Sequence, residues 1–140
     1  MTAGIDQGSR PAELGLLPME VPPLADLRAW AAAELPALGP DHLSVVLLVC
    51  TELVSNAYEH ALSPLRVTVR WAGSPCRVRV EVADGSTAAL TPGRSRFDED
   101  RGRGLILVDR LATEWGVLDN PGGKTVWAEI ECGARGVERC

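Results

Sequence analysis

The sequence holds a single lysine. Thirteen of its 14 basic residues are arginine, so chemistry that needs an ammonium group has only Lys124. Bases are also outnumbered, 14 against 19 acids, leaving a net charge of −5. The basic stripe with which nucleic-acid binders displace counterions is therefore missing. Aromatics make up only 4% of the chain, so Leu, Val and Ala must fill the core. No long apolar run occurs. The longest, Val45 to Cys50, falls far short of the roughly 20 residues of a membrane span, and the N-terminus lacks the basic-then-apolar pattern of a secretory signal. A cytoplasmic protein without membrane or nucleic-acid partners is the expectation. Cysteines are few and scattered, at 50, 76, 132 and 140, with no CxxC pair and only two histidines. That spacing argues against zinc, and it suits a reducing compartment better than a disulfide framework.

What is present is an ordinary globular balance of 46% hydrophobic and 24% charged residues in 140, the length of one domain at roughly 100–200 residues each. Residues 1–12 read as a flexible tail, 13–131 as the domain and 132–140 as a second tail. Residues 14–21 suggest an edge strand, since Pro18 cannot donate to a ladder. Leu24, Leu27, Ala31 and Leu35 have helical spacing, and Pro36, Gly39 and Pro40 end that helix. Asp41 caps a longer helix reaching about Ala61. One face of it carries Leu43, Val46, Leu47, Cys50, Leu53, Val54, Ala57 and Ala61. The other starts apolar, with Val45, Leu48 and Val49, and then turns polar at Glu52, Asn56 and Glu59. A helix apolar on both sides is expected to be buried on both sides, and polar groups that follow on such a face pair in the core or line a pocket. His60 reads as a partner of the helix end.

Residues 66–71 and 77–83 alternate Val against Arg, Thr and Glu, separated by Ala72-Gly73-Ser74-Pro75. This is a β-hairpin with one buried and one wet face, the wet face carrying Arg66, Arg70, Arg77 and Arg79. The second strand ends at Asp84-Gly85-Ser86. Residues 87–101 form a long loop of the kind that serves as a lid. A helix follows from Gly102 to Leu111, then a strand over 114–118, a turn over 119–123 and a last strand over 124–131. Lys124 reads as a surface residue at the start of that strand.

Two phosphate-loop signals fail. Gly122-Gly123-Lys124-Thr125 imitates the end of a P-loop, but the first glycine position is Leu118, and strand rather than helix follows. Gly102-Arg103-Gly104 imitates a dinucleotide fingerprint, but Leu107 stands where its third glycine belongs. What remains is an ordered set: Glu52 and Asn56 one helical turn apart on one face, Asp84-Gly85-Ser86 at a strand end, Gly102-Arg103-Gly104-Leu105 at a helix start where free N–H groups suit phosphate, and Gly123-Lys124-Thr125 opening a strand.

In this order the blocks resemble the N, G1, G2 and G3 boxes of the GHKL ATPase superfamily, over roughly residues 14–131. Length and spacing are most similar to its small stand-alone branch, the anti-sigma-factor serine/threonine kinases, and the arginine bias and the ending GGKTVWAEI look actinobacterial. The resemblance implies a two-layer α/β sandwich, with a mixed, mostly antiparallel sheet under about three helices. It implies ATP and Mg²⁺ as cofactors. Asn56 would hold the metal through its amide oxygen, and Glu52 would be the catalytic general base. Asp84 would accept a hydrogen bond from the adenine amino group, supported by Thr125. Gly102, Arg103, Gly104 and Leu105 would wrap the phosphates. The implied partners are a sigma factor, a small STAS-like anti-sigma antagonist as phosphoryl acceptor, or both, with room for a homodimer. The G1 box departs from the family's Asp-x-Gly-x-Gly, reading Asp84-Gly85-Ser86-Thr87-Ala88, which bears on lid closure and turnover more than on binding. A non-catalytic, nucleotide-gated binder is the alternative. A detached histidine-kinase catalytic domain would lack its phosphoacceptor hairpin.

Overall fold

A computed structural model describes residues 11–17, 21–60, 65–73, 76–85 and 102–132. Both expected tails in large part and the expected lid over 87–101 lie outside them. The elements run β1 (Ala12–Leu16), α1 (Leu24–Glu34), α2 (Pro40–His60), β2 (Leu65–Gly73), β3 (Cys76–Asp84), α3 (Gly102–Leu111), β4 (Glu114–Asn120) and β5 (Gly123–Glu131).

The five strands form one sheet in the order β1-β2-β3-β5-β4. Every neighbouring pair is antiparallel, so the expected mixed sheet is wholly antiparallel. The reason lies in β5. The β3–α3–β4 connection leaves β3 and β4 pointing the same way, and β5 slots between them, separating the one pair that would have been parallel. β1 is an edge strand as expected, but it ends at Leu16, before Pro18.

The core lies between the sheet and the helices. Val67, Val69, Val78, Val80, Val82, Val126, Ala128 and Ile130 supply its sheet side. Their alternation follows from the two-residue pleat. Branched Val and Ile suit such a surface, which is how the chain fills a core with few aromatics.

α2 supplies most of the helix side, through His42, Val46, Val49, Cys50, Leu53, Val54, Asn56 and Ala57. Leu48, however, is 39% exposed. The two-sided burial expected of this helix is found at Val49, which is fully buried, and in part at Val45, but not at Leu48. α1 and α3 both contact α2, yet Leu48 stays open to solvent.

The outer face of the hairpin is less wet than its alternation implied. Arg77 pairs with Glu129 at 2.7 Å and with Glu131, and Arg79 pairs with Glu81 at 2.7 Å and Glu129 at 2.8 Å. Burial works against the Arg79 charge, but its hydrogen bonds to Glu81 and Glu129 outweigh that and hold it firmly protonated. Its guanidinium also lies 4.3 Å from the centre of the Trp127 ring, a cation–π arrangement. Gly116, on the neighbouring strand, leaves space for that indole, since a Cβ there would come within 3.0 Å of it.

Candidate functional site

One end of the sheet gathers the polar groups singled out in the sequence. β3 ends at Asp84, which is 8% exposed although it is a carboxylate. Register places Lys124 directly across from it on β5. Lys124 also shares the helix-facing pleat, in step with Val126, Ala128 and Ile130. It is 2% exposed, so the surface position expected for the only lysine is wrong. A buried ammonium needs a compensating charge, and a carboxylate directly opposite on the same pleat suits that need. The parity of β5 held the signal: Lys124 falls on the same alternate positions as three core residues.

Thr125 is also buried, at 9% exposure. It pairs with Ala83 rather than Asp84, so the pleat turns it to the other face of the sheet. Lys124 therefore occupies the position beside Asp84 that the resemblance gave to Thr125.

The turn before β5 is pressed against this strand end. Gly123 has φ of +155°, and a Cβ there would lie 1.9 Å from the Asp84 carbonyl oxygen. Only a residue without a side chain allows that approach. A cleft of about 560 Å³ opens here, lined among others by Leu16, Leu65, Ala83, Asp84, Gly85 and Gly123. Among the described residues its lining includes neither Glu52, Asn56 nor Leu105.

Those three come from the helices. Asn56 sits in the last part of α2 at 7% exposure, on the otherwise apolar buried stripe. Its amide oxygen is a hard donor of the kind suited to Mg²⁺. Glu52, one turn earlier, is half-buried and adds a carboxylate. Gly102, Arg103, Gly104 and Leu105 form the first turn of α3, whose leading N–H groups have no partner within the helix. Leu105 is buried at 8% exposure and α3 packs on α2, so the α3 N-terminus is anchored beside the helix that carries Asn56. The donor set thus fits a magnesium nucleotide: an amide oxygen for the cation with a half-buried carboxylate one turn away as base, helix N–H groups for phosphate, and a buried carboxylate for an amino group.

The other buried polar groups lie at the opposite end of the same elements. His42, in the first turn of α2, is fully buried, and its Nε2–H donates to the Ile130 carbonyl at 2.9 Å. Cys76 Sγ lies 3.6 Å from His42 Nδ1. Cys76 is disulfide-bonded, contrary to the expectation of scattered thiols, while Cys50 and Cys132 are thiols. Sequence spacing could not reveal this meeting, because its members belong to three separate elements.

Among the described residues, no helix is long and apolar enough to cross a membrane. Comparison with curated proteins returns no match. Comparison with protein families returns one over residues 17–130, the histidine kinase-like ATPase domain. That span takes in every described element except β1 and the last residue of β5, and it contains each of Glu52, Asn56, Asp84, Gly102 and Thr125. The chain belongs to the histidine kinase-like ATPase domain family, of GHKL type, and carries an ATP-binding domain of that kind.

Proposed function

We propose that this protein is an ATP-dependent protein serine/threonine kinase of the anti-sigma-factor type. In this reading it phosphorylates a small STAS-like antagonist in the cytoplasm and otherwise sequesters a sigma factor. The observation that carries the reading is the burial of Asn56 and Asp84, at 7% and 8% exposure, on the helix and strand to which the resemblance assigns the nucleotide, within the span matched to the family.

When bound, ATP supplies the transferable phosphoryl group, and Mg²⁺ offsets the charge on its oxygens. The chain's own groups do the rest. Asp84 accepts a hydrogen bond from the adenine amino group, with Lys124 opposite to balance its charge. The first turn of α3 directs N–H groups of Gly102, Arg103, Gly104 and Leu105 at phosphate oxygens. Asn56 offers its amide oxygen to the cation. Glu52 takes the proton from the substrate Ser or Thr hydroxyl onto its carboxylate.

One observation favours a second reading. The open cleft takes in Asp84 without Glu52 or Asn56, which suits a nucleotide-gated binder with no phosphoryl transfer. The test captures partners from native lysate with and without Mg-ATP, then incubates the captured proteins with γ-labelled ATP. Label on a Ser or Thr of a small partner supports the kinase. Nucleotide-dependent capture without label replaces it with the binder.

A further inference from the structure

The pole of the sheet away from Asp84 holds a second set of ligand-type side chains that ATP chemistry does not use. His42, Cys76 and Cys132 each present one donor atom, and all three atoms lie within 4.8 Å of one another. We propose that, in the reduced protein, these three residues form a zinc site.

The set is built by three elements. Cys76 opens β3, and Cys132 follows the last residue of β5. Its N–H donates to the Cys76 carbonyl at 3.2 Å, extending the β3–β5 ladder by one pair. The two cysteines are thus directly opposed and share the helix-facing pleat. His42 comes down on them from the first turn of α2.

Three features distinguish this from chance packing of a histidine against sulfur. First, the ring is oriented. Nε2–H is committed to the Ile130 carbonyl, which leaves the lone pair on Nδ1, the nitrogen 3.6 Å from Cys76 Sγ. Metal-bound histidines are characteristically held this way, by a carbonyl on the other nitrogen. Second, that distance matches a coordination edge. Zn–S of about 2.3 Å and Zn–N of about 2.05 Å at a tetrahedral angle place N and S about 3.6 Å apart. Third, burial is graded. His42 and Cys76 are buried at 0% and 5% exposure, while Cys132 is half-buried and gives the ion a way in, leaving the fourth position to water or another donor.

One nitrogen and two thiolates form a borderline-soft set that prefers Zn²⁺ to Mg²⁺. Binding releases the two thiol protons. A disulfide sulfur carries no charge to offer, so the disulfide on Cys76 and the metal exclude each other. The site belongs to the chain with that bond reduced.

The test uses tag-free, full-length protein, stripped of metal and reduced with a phosphine under anaerobic conditions. It is titrated with Co²⁺ in excess Mg²⁺, which keeps hard-oxygen sites filled. The expected result is one equivalent bound, with thiolate-to-cobalt charge transfer and the intense visible bands of four-coordinate cobalt, all bleached by Zn²⁺. Cys132→Ser, at a half-buried position, should weaken Co²⁺ binding at least about tenfold and cut the charge-transfer intensity. Cys50→Ala should titrate like wild type, and unreduced protein should show no charge transfer. A weak octahedral spectrum from the reduced wild type overturns the proposal whatever the variants do. So does equal binding by the Cys132→Ser and Cys50→Ala variants.

Discussion

The two poles of the sheet are built from the same three elements and differ in chemistry. At one, α2, β3 and β5 present Asn56, Asp84 and Lys124. At the other they present His42, Cys76 and Cys132. Between them every inward position of β3 and β5 is apolar: Val78, Val80 and Val82 face Ile130, Ala128 and Val126. Eight residues of strand at about 3.3 Å each place the poles about 26 Å apart, and the 14 residues of α2 between His42 and Asn56 span about 21 Å. The comparison teaches how a small domain keeps polar groups out of its middle. Polar side chains sit at the ends of elements, where the core is thinnest and a ligand can reach them. One pole holds oxygens and an ammonium, the other sulfur and imidazole, so each selects different ligands.

If the poles are independent, breaking one should spare the other. The largest expected effect is from Glu52→Gln. Phosphoryl transfer should fall by roughly 10²–10⁴-fold, the usual contribution of a positioned base. ATP binding and cobalt binding at the far pole should both persist, as read by radiolabel transfer beside the two titrations. Wild-type transfer by the variant would remove Glu52 from the chemistry.

Asp84→Asn comes next. An amide that turns its N–H toward the adenine amino group loses an acceptor at a buried site, costing about 1–3 kcal/mol, or roughly 5- to 150-fold in ATP affinity. It also leaves Lys124 without the opposed carboxylate, so the melting temperature should drop as well. Calorimetry showing unchanged affinity would overturn the adenine assignment.

Gly123→Ala should sharpen the contrast by mechanics alone. The added Cβ would overlap the Asp84 carbonyl at 1.9 Å, so the turn or the strand end must move. A loss of about 1–3 kcal/mol in stability is expected, by analogy with other forced backbone conformations, together with weaker ATP binding. Urea unfolding with and without nucleotide reads both. Full stability would mean that the β5 turn relaxes freely.

The smallest effect belongs to the apolar middle. Burial pushes the Cys50 thiol up from 9.0 to about 12. Between those values the unfolded chain loses the proton and the folded chain keeps it, so stability is complete below about pH 9 and declines as pH rises toward 12. One pH unit is worth at most about 1.4 kcal/mol. Urea midpoints at pH 8 and pH 10 should therefore converge in Cys50→Ala relative to wild type. An identical alkaline slope in both proteins would assign the loss elsewhere.

Much of the fold was legible because its causes are local. Alternating Val and Arg wrote the hairpin, and α3 runs from Gly102 to Leu111 as expected, whereas the edge strand lies at Ala12–Leu16, short of the Pro18 that suggested it. The family was legible because four short blocks keep their order along the chain. Errors arose wherever the answer depended on what packs against what. The apolar second face of α2 suggested a cover that Leu48 does not receive. Lys124 looked like a surface residue because charge is usually solvated, but on β5 it falls on the buried pleat, across from the Asp84 carboxylate.

The sequence by itself therefore determined the elements, their buried faces and the ATP-binding class, since periodicity, turn chemistry and motif order act over a few residues at a time. Tertiary structure alone decided the insertion of β5 between β3 and β4, the strand register and the contact at each pole. A shift of one residue in that register would send Lys124 and Cys132 to the opposite face of the sheet. Pairings between positions 84 and 124, or 76 and 132, exist only once distant strands have met.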